Sequence, residues 1–216
     1  MPFKFFTQGP SAPHTFASDR LILVEGIDDA IFFEAILGQL GVTVGQVEIR
    51  SVEGYSNFQS YLKALAKAPA VTSGQLIKFC LIADADDSFD DRVKELRSYL
   101  ETAGFGAPAA GTFDNSKTPE VGIYVLPDNK AAGELEDLFI ESLDGDPRLN
   151  EASSALNKFD PENNWTKRSK RLIQILLALS EQRLCAGIGR GLRNGAVELP
   201  KIEIEKLENF LNELLS

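Results

Sequence analysis

One histidine, two cysteines, one tryptophan and one methionine stand among 216 residues, and these scarcities remove whole classes of chemistry. His14 sits in a stretch interrupted by prolines. A zinc site built on imidazoles, a serine–histidine triad and a cysteine–histidine pair therefore lack their key group. Cys80 lies inside an apolar, strand-like run, and no secretory hydrophobic region precedes the first element, so the chain reads as reduced and cytoplasmic. The most apolar run, Leu172 to Leu179, is too short to span a bilayer, and no membrane contact is expected. The pattern G-x-x-x-x-G-K-[ST] does not occur, so this chain carries no P-loop ATPase of its own.

What is present is globular: 44% of residues are apolar and 25% charged. The length suits one ordinary domain, or a core of about 120 residues with an appended subdomain. The formal net charge of −10 argues against a surface that coats nucleic acid throughout. It is unevenly spread. Between Trp165 and Gly195 seven basic residues (Lys167, Arg168, Lys170, Arg171, Arg183, Arg190, Arg193) face a single acid, Glu181. Either this basic limb holds a phosphate backbone, or it packs on the acidic body as salt bridges.

Residues 1–19 hold three prolines and no sustained period, and read as an irregular arm. Residues 20–142 alternate strand and helix. Predicted strands are Leu21 to Glu25, Val47 to Val52, Leu76 to Ala83 and Val121 to Leu126. Predicted helices run from Asp28 to about Leu40, from Ser56 to about Ala66, from Ser88 to Ala103, and from Gly133 to Ser142. Asp28 serves as an N-cap with an Ile27–Phe32 staple, and Ser56/Gln59 and Ser88/Asp91 form capping boxes. The alternation implies an α/β fold, a Rossmann-like core of about four parallel strands with helices on both faces. Residues 143–216 read as a helical C-terminal extension. Within it, Thr166 to Ser180 is apolar nearly all round in its second half, and Ile204, Leu207, Leu211 and Leu214 stripe a last helix. Gly187-x-Gly189-x-Gly191 opens no βαβ unit and reads as a flexible turn.

In a parallel sheet the C-terminal ends of the first and third strands share one edge. Glu25 would meet Asp84 and Asp86 there, with Asp28 or Asp29 one helical turn away. Carboxylates packed this closely raise one another's pKa unless a cation neutralises them, and all-oxygen donors select Mg²⁺ or Mn²⁺. Acids in a first helical turn also cap helices with no metal at all. That explanation serves for Asp28, Asp87, Asp90 and Asp91. It serves less well for Glu25 and Asp84, which end buried strands.

Leu23-Val24-Glu25-Gly26 together with Ile82-Ala83-Asp84-Ala85-Asp86 resembles a TOPRIM domain, the metal-binding fold of topoisomerases, bacterial primases and several nucleases. Asp29, four residues after the glutamate, and Gly133-Glu134-Leu135-Glu136-Asp137-Leu138 resemble motifs of the TOPRIM half of OLD-family nucleases. The layout is also similar to small stand-alone TOPRIM-like proteins of unknown function. The resemblance covers Arg20 to Ile140 and only loosely the helical tail. It implies a metal-dependent nuclease with Glu25, Asp84 and Asp86 as catalytic residues. Two ions about 4 Å apart would be held by Glu25, Asp29, Asp84, Asp86 and Glu136. Lys167, Arg168, Lys170, Arg171, Arg190 and Arg193 would bind nucleic acid, DNA ahead of RNA. A separate ATPase chain and a second copy of the chain are the other expected partners. OLD-family nucleases also use a downstream lysine, for which Lys167 and Lys170 stand as candidates by position.

Two rival readings remain. One is a non-catalytic module that binds metal with nucleic acid or with an ATPase. The other is a phosphatase using Asp84-x-Asp86, although its later Gly-Asp-Asp motif is not evident. An EF-hand match at Asp84, Asp86, Ser88 and Glu95 fails because Phe89 replaces the loop glycine.

Overall fold

In the computed structural model, residue 5 and residues 16–143, 145–180, 184–185, 187–199 and 205–216 are described. Most of the expected arm, His14, Arg183 and Ile204 lie outside them. The strands are β1 (Arg20–Val24), β2 (Glu48–Ser51), β3 (Lys78–Asp84), β4 (Phe113–Asp114) and β5 (Glu120–Leu126). They form one sheet in the order β2-β1-β3-β5-β4. The first three and β5 run parallel, as the alternation requires, and β4 is an antiparallel edge pair inside the predicted 105–120 loop. Two residues are too few to show a period, which is why β4 escapes a sequence reading.

Alternate residues of each strand feed two separate cores. Leu21, Leu23, Phe79, Leu81, Ala83, Val121, Ile123 and Val125 face helices α2 (Phe58–Leu65), α3 (Pro69–Thr72) and α4 (Phe89–Ala103). Ile22, Val24, Cys80, Ile82, Tyr124 and Leu126 face the other side. There the cover is α1 (Ile27–Gln39), α5 (Leu135–Ser142), α6 (Pro147–Phe159), α7 (Arg168–Ala178), α8 (Ile188–Asn194) and α9 (Glu205–Leu215). Burial on both faces is why these strands read as unbroken apolar runs. The helices after residue 143 thus complete one core of the same sheet. Among the described residues no helix is long and apolar enough to cross a membrane.

Several local expectations are corrected. Gly26 rather than Asp28 is the N-cap of α1; the box is closed by Asp29, whose Oδ2 accepts the Gly26 N–H at 2.7 Å. Asp28 instead caps a distant element, accepting the N–H groups of Gly189 (3.0 Å) and Arg190 (3.1 Å) at the start of α8. The glycine-rich segment is therefore a helix, with Gly187 as its N-cap, and not a flexible turn. Its glycines permit a close approach: a Cβ on Gly189 would overlap the Asp28 carbonyl and lie 2.9 Å from Ile31 Cβ. Ser56 caps nothing, because a 3₁₀ turn over Tyr55–Asn57 precedes α2. Ser88 does cap α4, through the Asp91 N–H at 3.3 Å. Helix α7 buries Ile173, Leu176 and Leu177, yet Leu179 just after it is half exposed, so this apolar segment is not buried on all sides.

The α1–α8 contact gives a stability prediction. Gly189→Ala should cost about 1–3 kcal/mol by overpacking. Gly38→Ala, on the exposed face of α1 with open space around it, should stabilise by about 0.5–1 kcal/mol. Denaturant midpoints of the two variants check both signs.

Candidate metal centre

Parallel register sets Val24, the last residue of β1, beside Ile82, and β3 runs two residues further to Asp84. Glu25, the next residue, turns its carboxylate onto its neighbour strand, where Oε1 accepts the Asp84 backbone N–H at 3.0 Å. Asp84 in turn accepts the N–H of Leu135, the first residue of α5, at 2.9 Å through Oδ1. A carboxylate at a helix N-terminus is favoured by the exposed N–H groups and the dipole. This pairing draws α5 over the strand ends, and with it Glu134 and Glu136. Asp84, Glu134 and Glu136 each present a carboxylate oxygen, all within 4.8 Å of one another, and the trio could hold a metal ion. All-oxygen donors of this kind suit a hard cation.

Glu134 is the residue that sequence reasoning passed over in favour of Glu136. It is the N-cap of α5, with the Glu134 N–H donating to Asp137 Oδ2 at 2.8 Å, and it is buried to 7% exposure. Its signal was available: an acid three residues before Asp137 is a capping pattern placed at the sheet's C-terminal edge. The remaining predicted acids border the trio. Asp29 reaches it from α1 while holding the Gly26 N–H. Asp86 is not one of the trio, although Lys167 bridges it to Glu134. Its left-handed backbone (φ 50°) pairs with Gly133 through two N–H···O bonds of 2.9 Å, and its carboxylate faces Arg92 and Lys167.

Two lysines enter the acidic cluster at the start of α7: Lys167 as its N-cap, in left-handed backbone, and Lys170 from its first turn. Lys167 Nζ bonds Asp86 Oδ1 at 2.7 Å and also Glu134. Lys170 Nζ lies 2.7 Å from Glu134 Oε2 and 4.0 Å from Glu136. The rest of the basic limb divides. Arg168 pairs with the buried Asp160 at 2.8 Å. Arg171 lies over the Trp165 ring, 5.0 Å from its centroid. Arg190 and Arg193 are exposed on α8.

The surplus of negative charge is written into the pKa values. Asp29 and Glu136 are each pushed up to about 7, by burial first. The neighbouring acids Glu25 and Asp28 add to this at Asp29, and Glu134 and Asp29 add to it at Glu136. Burial and the charges of Asp29, Glu25 and Glu136 hold Asp84 well above the usual carboxylate range. Glu25 is raised mainly by burial. Asp86 goes the other way, because Lys167 and Arg92 outweigh its partial burial. Lys170 is raised, its burial outweighed by the hydrogen bond to Glu134 and the surrounding acids.

The fold and site define an α/β protein with a carboxylate cluster at the C-terminal edge of a parallel sheet. The chain belongs to the DUF3226 family, described as a protein of unknown function, whose family model matches residues 19–216. No curated protein matches. The chain is similar to three structures of the C-terminal region of the OLD protein of Xanthomonas campestris pv. campestris. The platinum-phased one aligns at TM-score 0.49 and 15% identity, over 92% of this chain and 94% of that chain. The iodine-phased one gives 0.45 and 16%, over 93% and 97%. The mercury-phased one gives 0.40 and 15%, over 93% and 81%. Identities this low transfer no residue's role.

The raised acids give a pH prediction. Between pH about 4 and about 7 the folded chain keeps protons on Asp29 and Glu136 that the unfolded chain has released. Stability from this source is complete below pH about 4 and is lost as pH rises to about 7. In chelator, the denaturant midpoint should fall from pH 5 to pH 8, and the Asp29→Asn/Glu136→Gln double variant should flatten that slope. A divalent cation should raise the wild-type midpoint more at pH 8 than at pH 5, because protons compete for the same oxygens.

Proposed function

We propose that the chain is a divalent-metal-dependent nuclease acting on the phosphodiester bonds of DNA or RNA. One observation carries this reading: Asp84, Glu134 and Glu136 converge within 4.8 Å on the sheet edge where Glu25 and Asp29 also lie. The TOPRIM-like pattern of Glu25 with Asp84 and Asp86 points to the same chemistry. Mg²⁺ or Mn²⁺ is the fitting ion, since every donor is a carboxylate oxygen. Asp84, Glu134 and Glu136 would hold one ion, and Glu25, Asp29 and Asp86 border the place of a second. Bound there, the metal supplies Lewis-acid charge for the phosphoryl oxygens.

The chain's own groups divide the remaining work. Glu25 anchors one oxygen on the Asp84 N–H, and its raised pKa suits the other to take a proton from the attacking water. No histidine stands in the described site to do so. Lys167, half exposed at the rim, can turn from Asp86 to a phosphate oxygen. Lys170 balances the buried acids and lowers the cost of holding them together. Arg171, Arg190 and Arg193 supply further charge for the backbone, which makes binding salt-sensitive. DNA is placed ahead of RNA as substrate, with a separate ATPase chain and a second copy of this chain as proposed partners.

A second reading is a non-catalytic module that binds metal and nucleic acid. Glu134 favours it, being held already by two ammonium groups of the chain itself. Incubating the full chain with Mg²⁺ or Mn²⁺ and circular, linear or single-stranded DNA, or RNA, separates the two. Cleavage is expected, abolished by chelator and reduced about 100-fold or more by Asp84→Asn and by Glu134→Gln. Metal binding without cleavage of any form, or cleavage undiminished in Asp84→Asn, would sink the nuclease.

A further inference from the structure

Directly before the two site lysines, the chain builds a small loop whose product is an exposed indole. Helix α6 ends at Phe159, and the next residue, Asp160, is buried to 4% exposure. The Asp160 carboxylate organises the loop beyond it. Oδ1 accepts the Asn164 N–H at 2.7 Å, while Oδ2 accepts the Trp165 N–H at 3.2 Å and Arg168 Nη1 at 2.8 Å. Asn163 and Lys167 take left-handed backbone (φ 58° and 54°), which an asparagine adopts readily but which is costly for a lysine unless the surroundings impose it. A buried, ion-paired acid that closes a loop around itself sets the loop's shape, so Trp165 is presented rather than left loose.

What is presented is apolar and unprotected. Trp165 is 42% exposed and Phe159, at the other end of the same loop, is 75% exposed. Arg171 lies over the indole and ties its Nε–H to the Thr166 carbonyl at 3.1 Å. Among the described residues its two terminal NH₂ groups hold no acceptor. A flat ring backed by a guanidinium with donors to spare matches one ligand chemistry: a base to stack and a phosphate beside it. The position fits as well. Trp165 is two residues from Lys167, no more than ~7.6 Å between Cα atoms. Lys167 in turn reaches Asp86 and Glu134.

We propose that Trp165, with Arg171, is a stacking platform for an unpaired nucleobase, so that the strand engaged beside the carboxylate cluster is single-stranded or locally opened. This rests on the nuclease reading for its substrate class and deepens it by naming the unpaired strand. A base inside a duplex offers its π-face to its neighbours, not to a protein ring, so the platform discriminates by strand state rather than sequence.

Trp165 is the chain's one tryptophan, so indole emission reports the platform directly. The full chain, in chelator at low salt, is titrated with oligo(dT), oligo(U) and a closed dumbbell duplex without free ends. Emission should be quenched by one or both single strands and not by the dumbbell, the responding strand identifying the sugar. The variants lack the indole, so their affinity is read from the anisotropy of fluorescein-labelled single strands: Trp165→Ala should weaken binding about five- to 150-fold, the range that base–aromatic stacking spans, and Trp165→Phe should restore most of it. Absence of quenching by either single strand, equal quenching by the dumbbell, or unchanged affinity in Trp165→Ala overturns the platform. Cleavage by the wild type and Trp165→Ala at equal rates with no quenching removes the platform and leaves the nuclease standing. Quenching without metal-dependent cleavage does the reverse.

Discussion

The hydrogen bond from the Asp84 N–H to Glu25 Oε1 joins the ends of two parallel strands through a side chain. It occurs because the register sets Val24 beside Ile82, which brings Glu25, just past β1, alongside the last two residues of β3. Once Glu25 is committed to the Asp84 backbone, the Asp84 carboxylate is free to meet the N-terminus of α5. That contact in turn positions Glu134 and Glu136. A register shift of one residue would turn Ile22, Val24, Cys80 and Ile82 to the opposite core, so the hydrophobic alternation itself protects the site geometry.

The cost of the arrangement is electrostatic. Glu25, Asp29, Asp84, Asp86, Glu134 and Glu136 face Arg92, Lys167 and Lys170, and the deeper acids Asp29 and Glu136 respond by retaining protons near neutral pH. Asp86, whose pKa is lowered, is the acid in direct contact with both Arg92 and Lys167. The site is thus divided. At the rim Asp86 lies between two cations, Lys167 and Arg92, while Asp29, Asp84 and Glu136 keep an unbalanced interior in which a further cation would be favoured. Perturbed carboxylates gathered at the C-terminal edge of a parallel sheet are where α/β proteins place their ligand sites.

The structure also redistributes roles that looked interchangeable in the sequence. Asp28 and Asp29 are neighbours, yet one caps α8 across the fold and the other closes its own helix beside the carboxylate trio. Lys167, Arg168, Lys170 and Arg171 read as one basic patch. In the fold the N-cap Lys167 and Lys170 enter the acids, Arg168 meets Asp160 and Arg171 an indole. Glycine spacing at 187, 189 and 191 suggested flexibility, but the missing Cβ atoms are what let α8 lie against α1 and α7.

Much of the fold was legible because it is periodic: apolar strand runs closed by Glu25 and Asp84, and the capping pattern at Ser88, are local and follow from backbone and burial alone. The convergence of Glu25 with Asp84 was legible too, since parallel strands share an edge by construction. The choice of Glu134 over Asp86 in the close trio was not. It depends on how far α5 is drawn over the strand ends and on the bridge that turns Asp86 toward Arg92. Nor was the destination of each basic residue, or the presentation of Trp165 by a buried Asp160. Local sequence sets which elements form and which ends carry charge. Which charges then meet is a matter of long-range packing, decided between elements far apart in the chain.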